Sequence, residues 1–409
     1  MNSAAENNRV LAYEEAARTV RQHAADLRSS GAEAVPLLDS LDRVLALPVV
    51  ADRDQPPFAR STRDGFACRS ADLSVSQPLA IAGHLRAGEA WAGPALQPRQ
   101  CIEIMTGAPV PQGADCVLMV EHASVESDRI APSRKLDPGD NIVPAGAEAR
   151  SGEILIQPGT RIRPQHIALA AACGYESLSV SHRPRVAILA TGDELVPLGQ
   201  QPMPHQIRNS NTYSLAAQVT RHGGHPLLHP VVPDSLAASG AAIRAALHCD
   251  LLLLSGGVSM GKYDFVEQAL ANLNADFFFT GARIQPGKPV VFGRLPKNNL
   301  YFFGLPGNPV STLVTFTLFA SPLLAALAGQ TELGPHFAQA RLTQTVEGRP
   351  NLTRFLPAHV ESSAAGATIR PIPWQGSGDQ SAAAKTESFL VVPEYTTLNS
   401  GEAATFVYL

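Results

Sequence analysis

Apolar and polar positions follow different patterns in successive parts of the 409-residue chain. Residues 13–27 place apolar side chains at helical spacing with charges between them, which predicts a surface helix. Residues 51–148 carry short apolar runs such as PLAIAG and CIEIM between Pro- and Gly-rich stretches, a pattern typical of β-strands joined by turns. In residues 149–182, Pro164 is placed to begin a helix and Gly174 to end it. We expect this last segment to pack beside the N-terminal helix.

Strands and helices alternate regularly through residues 183–330. The apolar runs VAILATG, LLHPVVPDS and DLLLLSGG are each followed by a loop, and helical stretches separate them. One of these, NSNTYSLAAQVTRHGG, opens on capping Asn and Ser residues and ends at glycine. Continuous apolar strands alternating with helices indicate a parallel sheet covered on both faces.

The last part of the chain returns to short strands, such as FLPAHV and FLVVPE, at regular spacing, which favours a small closed β-barrel or sandwich. The predicted fold class is therefore multidomain α/β plus β. A doubly wound α/β domain is central, with an inserted β-rich domain, an N-terminal helix and strand domain and a C-terminal small β-barrel. The predicted domains are 1–50 with 149–182, then 51–148, 183–330 and 335–409.

Composition narrows the function classes. A net charge of -4 gives no basic field for nucleic acid, and no unbroken apolar run reaches the roughly 18 residues that a membrane helix needs. The N-terminus MNSAAENNRV lacks the pattern of a secretory signal, so we expect a cytoplasmic protein. The five cysteines include no C-x-x-C pair, so we expect buried reduced thiols rather than disulfides or a zinc site.

Three glycine-containing loops follow apolar strands of the α/β region: TGDEL (191–195), SGGVSMG (255–261) and LPGNPVS (305–311). In a parallel α/β sheet such loops meet at the carboxyl ends of the strands, where ligands bind. Glycine lets backbone approach an anion, and helix starts and hydroxyl groups donate to it. A phosphate is the predicted occupant; each loop taken alone is equally compatible with a tight turn.

Acidic residues accompany these loops, namely Asp193, Glu194, Asp234, Asp264 and Glu267. Carboxylates repel a phosphate unless a cation lies between them, and Mg²⁺ prefers such oxygen ligands. The sequence therefore predicts a phosphorylated ligand with a divalent metal. The alternative for any single acid is a charge favoured at a helix start, and for Glu267 a solvated helix face.

Five motifs together identify a family resemblance. They are FARSTRDGFA (58–67), IMTGAPVPQGADCVLMVE (104–121), ATGDEL (190–195), LSGGVSMGKYDF (254–265), and PGKP (286–289) with LPGNPVS (305–311). SGGVS alone is weak, because adenylyltransferases of the same pathway share that domain. With MTGAPVPQGAD and the DGFA turn, the whole chain resembles the molybdopterin molybdenumtransferases, that is, the bacterial MoeA proteins and the related gephyrin E domain.

The resemblance implies the last step of molybdenum cofactor assembly. Adenylylated molybdopterin is the substrate, Mg²⁺ assists release of AMP, and molybdate supplies the molybdenum. It also implies a homodimer, with molybdopterin adenylyltransferase and molybdoenzyme chaperones as protein partners.

Site residues follow from the motifs. The implied catalytic residues are Asp64, Thr106, Glu194, Asp234 and Asp264, with Asp64 and Thr106 reaching the cleft from a partner subunit. Turn formation and helix capping are the structural alternatives for these two. The implied metal ligands are Asp264, Glu194, Asp234 and Glu148. The implied ligand-binding residues are Thr191, Gly192, Asp193, Ser255, Gly256, Gly257, Ser259, Gly261, Lys288, Pro306, Gly307, Asn308, Pro309 and Ser311.

The chain departs from the family pattern at several positions. RSTR at 60–63 replaces the more usual NSAM and adds two cations near Asp64. Gln285 stands where many members have a lysine, which removes a positive charge from the expected anion site. GAEA at 146–149 replaces a Gly-Glu-Asp turn, so Glu148 is expected to stand in for the aspartate. Arg354 lies near an expected arginine.

Two other functions compete with the transferase. An adenylyltransferase acting one step earlier would use the SGGVS loop but needs neither the β-rich domain nor the barrel. A scaffold or dimeric adaptor is compatible with the lost cation at Gln285. A dinucleotide dehydrogenase is disfavoured, because no G-x-G-x-x-G opens a helix in the sheet.

Overall fold

The fold is taken from a computed structural model that describes residues 9–74, 77–257 and 265–409. At its centre is a six-stranded sheet ordered His225–Leu228, Arg185–Ala190, Leu251–Ser255, Leu300–Leu305, Val291–Leu295, Asp276–Phe279. The first four strands are parallel, and Val291–Leu295 runs antiparallel to both of its neighbours. The sheet is thus mixed, which corrects the expectation of a wholly parallel one. The Pro296–Asn298 turn, followed by Asn299 with a φ of 50°, reverses the chain into this hairpin.

Helices cover both faces of this sheet. Along Leu251–Ser255 successive side chains enter opposite cores, because a strand alternates its side chains: Leu251 and Leu253 pack on one face, Leu252 and Leu254 on the other. The covering helices of this region are Asn211–Arg221, Leu236–Ala245, Phe265–Asn272, Pro309–Thr315 and Ser321–Leu327. A separate short strand pair is formed by Leu195–Val196 and Ile207–Arg208. Ser235 caps its helix, accepting from the Ala238 N–H, as capping chemistry predicts.

Pro309–Thr315 and Ser321–Leu327 form one continuous helix joined by a π-helical segment, Phe316–Ala320. Among the described residues this 19-residue helix is long and apolar enough to span a membrane. The sequence contains no unbroken apolar run here, because Ser and Thr residues interrupt it. The structure buries 89% of the qualifying stretch inside the protein. It is therefore a core helix of the α/β region.

The N-terminal helix, Tyr13–Ala25, packs differently from expectation. Its buried face, Ala16, Ala17, Val20 and Ala24, joins the core of the α/β region, and the strand Val10–Leu11 pairs with Gly281–Ala282. It does not pack beside Pro164–Ala172. Residues 32–50 pack beside Pro164–Ala172 instead. Strand Ala32–Pro36 pairs with Ser177–Ser181, strand Val49–Val50 pairs with Ile154–Ile156, and the 3-10 turn Leu37–Ser40 lies between them in the chain.

The β-rich region forms a second six-stranded sheet. Its order is Cys116–Met119, Gly65–Cys68, Gln100–Ile104, Leu79–Leu85, Arg129–Pro132, Ala123–Glu126, with a separate pair Arg60–Ser61 and Ile142–Val143 and 3-10 turns Ser70–Asp72 and Val120–His122. Cys68 lies between Cys101 and Cys116 on paired strands. All five cysteines are free thiols; four of them are buried, as the sequence predicted, whereas Cys249 is half-buried, which corrects the expectation for that residue.

The C-terminal region is a closed five-stranded barrel. Its ring runs Thr353–Ser363, Gly366–Pro371, Phe337–Leu342, Ala403–Tyr408, Ser388–Val392 and back to the first strand. The pair Val346–Glu347 with Thr397–Leu398 and the short helix Gln380–Ala383 complete it. Ile284–Gln285 of the α/β region pairs with Thr353 and Arg354, which fixes the barrel beside the sheet.

Candidate active site

A cavity of about 1020 Å³ opens where the parallel strands of the central sheet end. Loops after Arg185–Ala190, Leu251–Ser255 and Leu300–Leu305 form its floor, as expected for a parallel α/β sheet. Of the predicted site residues it is lined by Thr191, Gly192, Glu194, Asp234, Ser255, Gly256, Gly257, Pro306, Gly307, Asn308 and Pro309. We call it the acidic cavity, because Glu194 and Asp234 line it with Arg208 as the one basic side chain among the described residues.

The two glycines of SGGVS are required by their backbone and by Thr191. Gly256 and Gly257 have φ angles of 87° and 62°, a region that disfavours side chains. A Cβ on Gly257 would lie 2.7 Å from the Thr191 hydroxyl oxygen, and one on Gly256 would lie 2.6 Å from the Thr191 carbonyl oxygen. Thr191 is 6% exposed, and its hydroxyl has no hydrogen-bond partner among the residues that the structure describes. A buried polar atom without a partner at a cavity wall is suited to bind a ligand.

Asn211 joins two of the three predicted loops. Its side-chain amide donates to the Ser255 hydroxyl at 3.0 Å and to the Gly307 carbonyl at 2.7 Å. The helix that begins at Asn211 is capped by Asn209, whose Oδ1 accepts from the Thr212 N–H, whereas the expected cap Ser210 makes no such bond. Ser210 accepts instead from the Gln380 amide of the barrel region at 2.7 Å.

The acidic residues are only partly brought together. Glu194 and Asp234 line the acidic cavity, whereas Asp193 does not; its carboxylate accepts from the Asp234 N–H at 3.1 Å and so positions that loop. Ser259, Gly261 and Asp264 lie outside the described residues. Within 9–74, 77–257 and 265–409 there is no group of three or more His, Cys, Asp or Glu residues able to hold a metal. Glu267, expected on a solvated face, is half-buried, and burial raises its pKa.

A second cavity of about 540 Å³ lies between the α/β region and the barrel. Lys288, Arg349 and Arg354 line it, and none of its described lining residues is acidic, so we call it the basic cavity. Predicted residues Ser311, Pro306 and Asn308 are also in its wall. Partial burial, and then the nearby Arg349, lower the pKa of Arg354.

Two polar atoms in the wall of the basic cavity lack hydrogen-bond partners in the described part of the chain. Arg354 donates through Nη1 to the Glu347 carbonyl at 2.6 Å, but its buried Nε finds no acceptor within residues 9–74, 77–257 and 265–409. The buried Oε1 of Gln285 finds no donor in the same ranges. These two residues are register partners on adjacent strands, so the unpartnered atoms belong to one place in the cavity wall. The arrangement is suited to an anion that accepts from Arg354.

The acidic and basic cavities adjoin. Pro289, Pro306 and Asn308 line both. A barrel segment, residues 374–380, crosses this shared wall: the Asn308 amide donates to the Ser377 hydroxyl, and the Val310 N–H donates to the Ser377 carbonyl, each at 2.9 Å. The barrel therefore holds the LPGNP loop in position.

Asp64, Thr106 and Glu148 line none of the cavities described above. Asp64 accepts from both the N–H and the hydroxyl of Thr106 at 2.7 Å, and these bonds lower the pKa of Asp64. Glu148 forms an ion pair with Arg60 at 2.7 Å, one of the two extra cations of the RSTR motif. Within one chain the structure keeps both pairs apart from the acidic cavity, so their site roles stay predictions.

Several residues that line the cavities were not among the predicted site residues. Arg349 and residues 374–377 reach the basic cavity, and Arg208, Asn211, Gly378 and Gln380 reach the acidic one. The local signals were present, namely a second Asn in RNSN and the glycines of QGSGD. What was not visible is that the barrel would bring them to the α/β loops.

The chain is similar to known proteins over nearly its whole length. Residues 11–174 match the MoeA N-terminal region (domain I and II), residues 187–326 the probable molybdopterin binding domain, and residues 339–409 the MoeA C-terminal region (domain IV). Two proteins named molybdopterin molybdenumtransferase are among its relatives. That of Bacillus subtilis is 36% identical over 88% of this chain and 86% of its own length, and that of Haemophilus influenzae is 32% identical over 91% and 93%.

Solved structures agree with this. The structure of the molybdopterin biosynthesis MoeA protein from Pyrococcus horikoshii OT3 covers 98% of this chain and 100% of its own, with a TM-score of 0.81 and 27% identity. The match includes the α/β region, the β-rich region and the barrel, as the resemblance implied. The chain therefore belongs to the MoeA family of molybdopterin molybdenumtransferases.

Proposed function

We propose that the protein inserts molybdenum from molybdate into adenylylated molybdopterin with release of AMP. The observation that supports this most is the opposite charge of two adjoining cavities, which share Pro289, Pro306 and Asn308. Two reactants have to meet in this reaction. One is a pyrophosphate-linked pterin, whose bound cation needs carboxylates, and the other is a free oxyanion, which needs positively charged side chains.

The acidic cavity is proposed to hold the pyrophosphate of the pterin substrate. Its glycine loops and the free Thr191 hydroxyl supply close backbone approach and a hydrogen-bond donor. Asn211 stabilises these loops by joining Ser255 to Gly307. At about 1020 Å³ the cavity has the volume of a large ligand site.

Glu194 and Asp234 are proposed to hold Mg²⁺ together with substrate phosphate oxygens and water. This donor set suits magnesium, which commonly takes one or two carboxylates plus substrate phosphates. It also agrees with the lack, among the described residues, of a metal cluster built from the protein alone. Bound there, Mg²⁺ would supply charge neutralisation on the pyrophosphate oxygens. Asp264 and Glu148 stay predicted ligands.

Molybdate is proposed to bind in the basic cavity. Arg354 offers its unpartnered Nε, Lys288 and Arg349 add charge, and Ser311 lines the wall. Cationic donors in a partly enclosed site suit a dianionic oxyanion. Gln285 contributes no charge where many family members have a lysine. The positive charge of the basic cavity therefore comes from Lys288, Arg349 and Arg354.

A homodimer is part of the proposal, because Asp64, Thr106 and Glu148 line neither cavity within one chain. The adenylyltransferase and chaperone partners and the cytoplasmic location stay predictions from the resemblance and the sequence.

The test is AMP release from adenylylated molybdopterin with Mg²⁺, measured with and without molybdate. We expect release that molybdate stimulates and that chelation of Mg²⁺ stops. Binding of the substrate without any release would instead favour a scaffold role. Incorporation of AMP from ATP into molybdopterin would favour the adenylyltransferase.

A further inference from the structure

Residues 374–380 of the barrel region reach both the acidic and the basic cavity, and we call them the bridging segment. Residues 374–377 lie in the wall of the basic cavity, whereas Gly378 and Gln380 lie in the wall of the acidic one. Among the described lining residues, these two are all that the barrel region contributes to the acidic cavity. The bridging segment therefore links the barrel to the site proposed for the pterin substrate.

Asp379 connects the two ends of the bridging segment. Its Oδ2 accepts from the Gln375 N–H at 3.0 Å, and its Oδ1 accepts from the Ala382 N–H at 3.0 Å, which caps the helix Gln380–Ala383. The Ala382 N–H and then the Gln375 N–H lower the pKa of Asp379, so it remains a carboxylate at neutral pH. Gln375 in the basic cavity and Gln380 in the acidic cavity thus have one common anchor.

Gln380 connects the bridging segment to the loops of the acidic cavity. Its side-chain amide donates to the Ser210 hydroxyl at 2.7 Å. Ser210 directly precedes Asn211, whose own amide donates to the Ser255 hydroxyl and to the Gly307 carbonyl. An unbroken series of contacts therefore runs from the barrel to the SGGVS and LPGNP loops.

The helix that follows Ser210 does not need the Ser210 hydroxyl. Asn209 caps the helix Asn211–Arg221, since its Oδ1 accepts from the Thr212 N–H at 3.3 Å, and Ser210 makes no capping bond. Gln380 is exposed, so its substitution creates no void in a core. The bond between Gln380 and Ser210 therefore contributes little to folding. Its effect is to fix where the helix begins relative to the acidic cavity.

We propose that Gln380 is a positioning residue for the pterin substrate. Through Ser210 it holds the start of the helix Asn211–Arg221, so that Asn211 keeps the SGGVS and LPGNP loops at the spacing that the pyrophosphate requires. Gln380 has this role only if the acidic cavity holds the pyrophosphate as proposed above. Molybdate binding does not require Gln380, whereas Asp379 anchors both ends of the bridging segment and so serves both reactants.

The test measures AMP release from adenylylated molybdopterin at varied pterin and varied molybdate concentrations. Gln380→Met keeps the length of the side chain but removes the donor. We expect the half-saturating pterin concentration to rise about fivefold, with kcat, the half-saturating molybdate concentration and the melting temperature unchanged. Asp379→Asn should raise the half-saturating concentrations of both reactants. Gln339→Met, at an exposed glutamine of the same barrel, is the matched control.

A double-substitution cycle separates positioning from direct contact with the substrate. Ser210→Ala combined with Gln380→Met should bind the pterin no more weakly than Ser210→Ala alone, because both changes remove the same bond. Effects that multiply overturn the proposal, since Gln380 would then act independently of Ser210. Gln380→Met that matches Gln339→Met also overturns it and leaves the proposed function intact. A native chain that releases no AMP overturns the proposed function and the role of Gln380 together.

Discussion

The acidic and basic cavities share a wall of Pro289, Pro306 and Asn308, yet they are built in opposite ways. The acidic cavity is made mainly of loops that follow parallel strands of one sheet, and its carboxylates lie on those loops. The basic cavity takes Lys288 from the α/β region but Arg349 and Arg354 from the barrel. One site thus follows from local strand and loop chemistry, whereas the other exists only after two regions have docked. Because the two cavities are built from different residues, substitutions in one should affect one reactant and leave the other unaffected.

The largest expected effect is on the basic cavity. Arg354→Gln removes a half-buried cation with an unpartnered Nε, so we expect the molybdate concentration for half-maximal AMP release to rise about hundredfold. Affinity for adenylylated molybdopterin should stay unchanged. Arg370→Gln, an exposed arginine on the same barrel, is the matched control. Equal loss of pterin affinity would show that the two cavities are one site.

The converse test is on the acidic cavity. Glu194→Gln keeps the size of the side chain but removes a carboxylate, so we expect the Mg²⁺ requirement for AMP release to rise about thirtyfold. Asp193→Asn should have a smaller effect, because Asp193 acts only through the Asp234 N–H. The measurement is a Mg²⁺ titration at saturating molybdate, with the exposed Asp128→Asn as control. An unchanged Mg²⁺ requirement would remove Glu194 from the proposed ligands.

Thr191→Val separates ligand binding from folding. The valine has nearly the shape of threonine but lacks the buried hydroxyl, for which the described chain offers no hydrogen-bond partner. We expect unchanged or slightly higher thermal stability, since no internal hydrogen bond is lost, and about tenfold weaker binding of adenylylated molybdopterin. Lower stability together with unchanged affinity would mean that the hydroxyl serves the fold.

The smallest effect is a gain. Gln285→Lys restores a cation near Arg354, so we expect molybdate affinity to increase about threefold, with a modest loss of stability from crowding like charges. Gln375→Lys places the same charge at another position in the wall of the basic cavity and tests whether position matters. No change from Gln285→Lys would show that Gln285 does not face the bound oxyanion.

The parts of the site that are local in the chain could be predicted from the amino-acid sequence. The TGDEL and LPGNP loops, Ser255 and its two glycines reach one cavity because each directly follows a strand of the same sheet. The helix at Pro164 and the closed barrel were also predicted, from a proline at a helix start and from short strands at regular spacing. These features depend on backbone geometry that a few residues determine.

Features that depend on docking were not predicted. Ile284–Gln285 pairs with Thr353 and Arg354 across nearly seventy residues of sequence, and nothing in either segment indicates its partner. The N-terminal helix has an amphipathic pattern that is satisfied by any apolar surface, so its packing on the α/β core could not be deduced. The antiparallel hairpin was missed because strands buried on both faces have the same apolar pattern in either direction.

The helix from Pro309 to Leu327 has a consequence for how the protein is made. Its apolar surface is long enough to attract a membrane or a chaperone while it is uncovered. During synthesis the strands and the Tyr13–Ala25 helix that cover it have already been translated, so most of its surface has a partner as soon as it emerges. The contacts from Phe355, Phe389 and Val407 arrive only with the barrel. Translation of the barrel region therefore both completes the cover of this helix and completes the basic cavity.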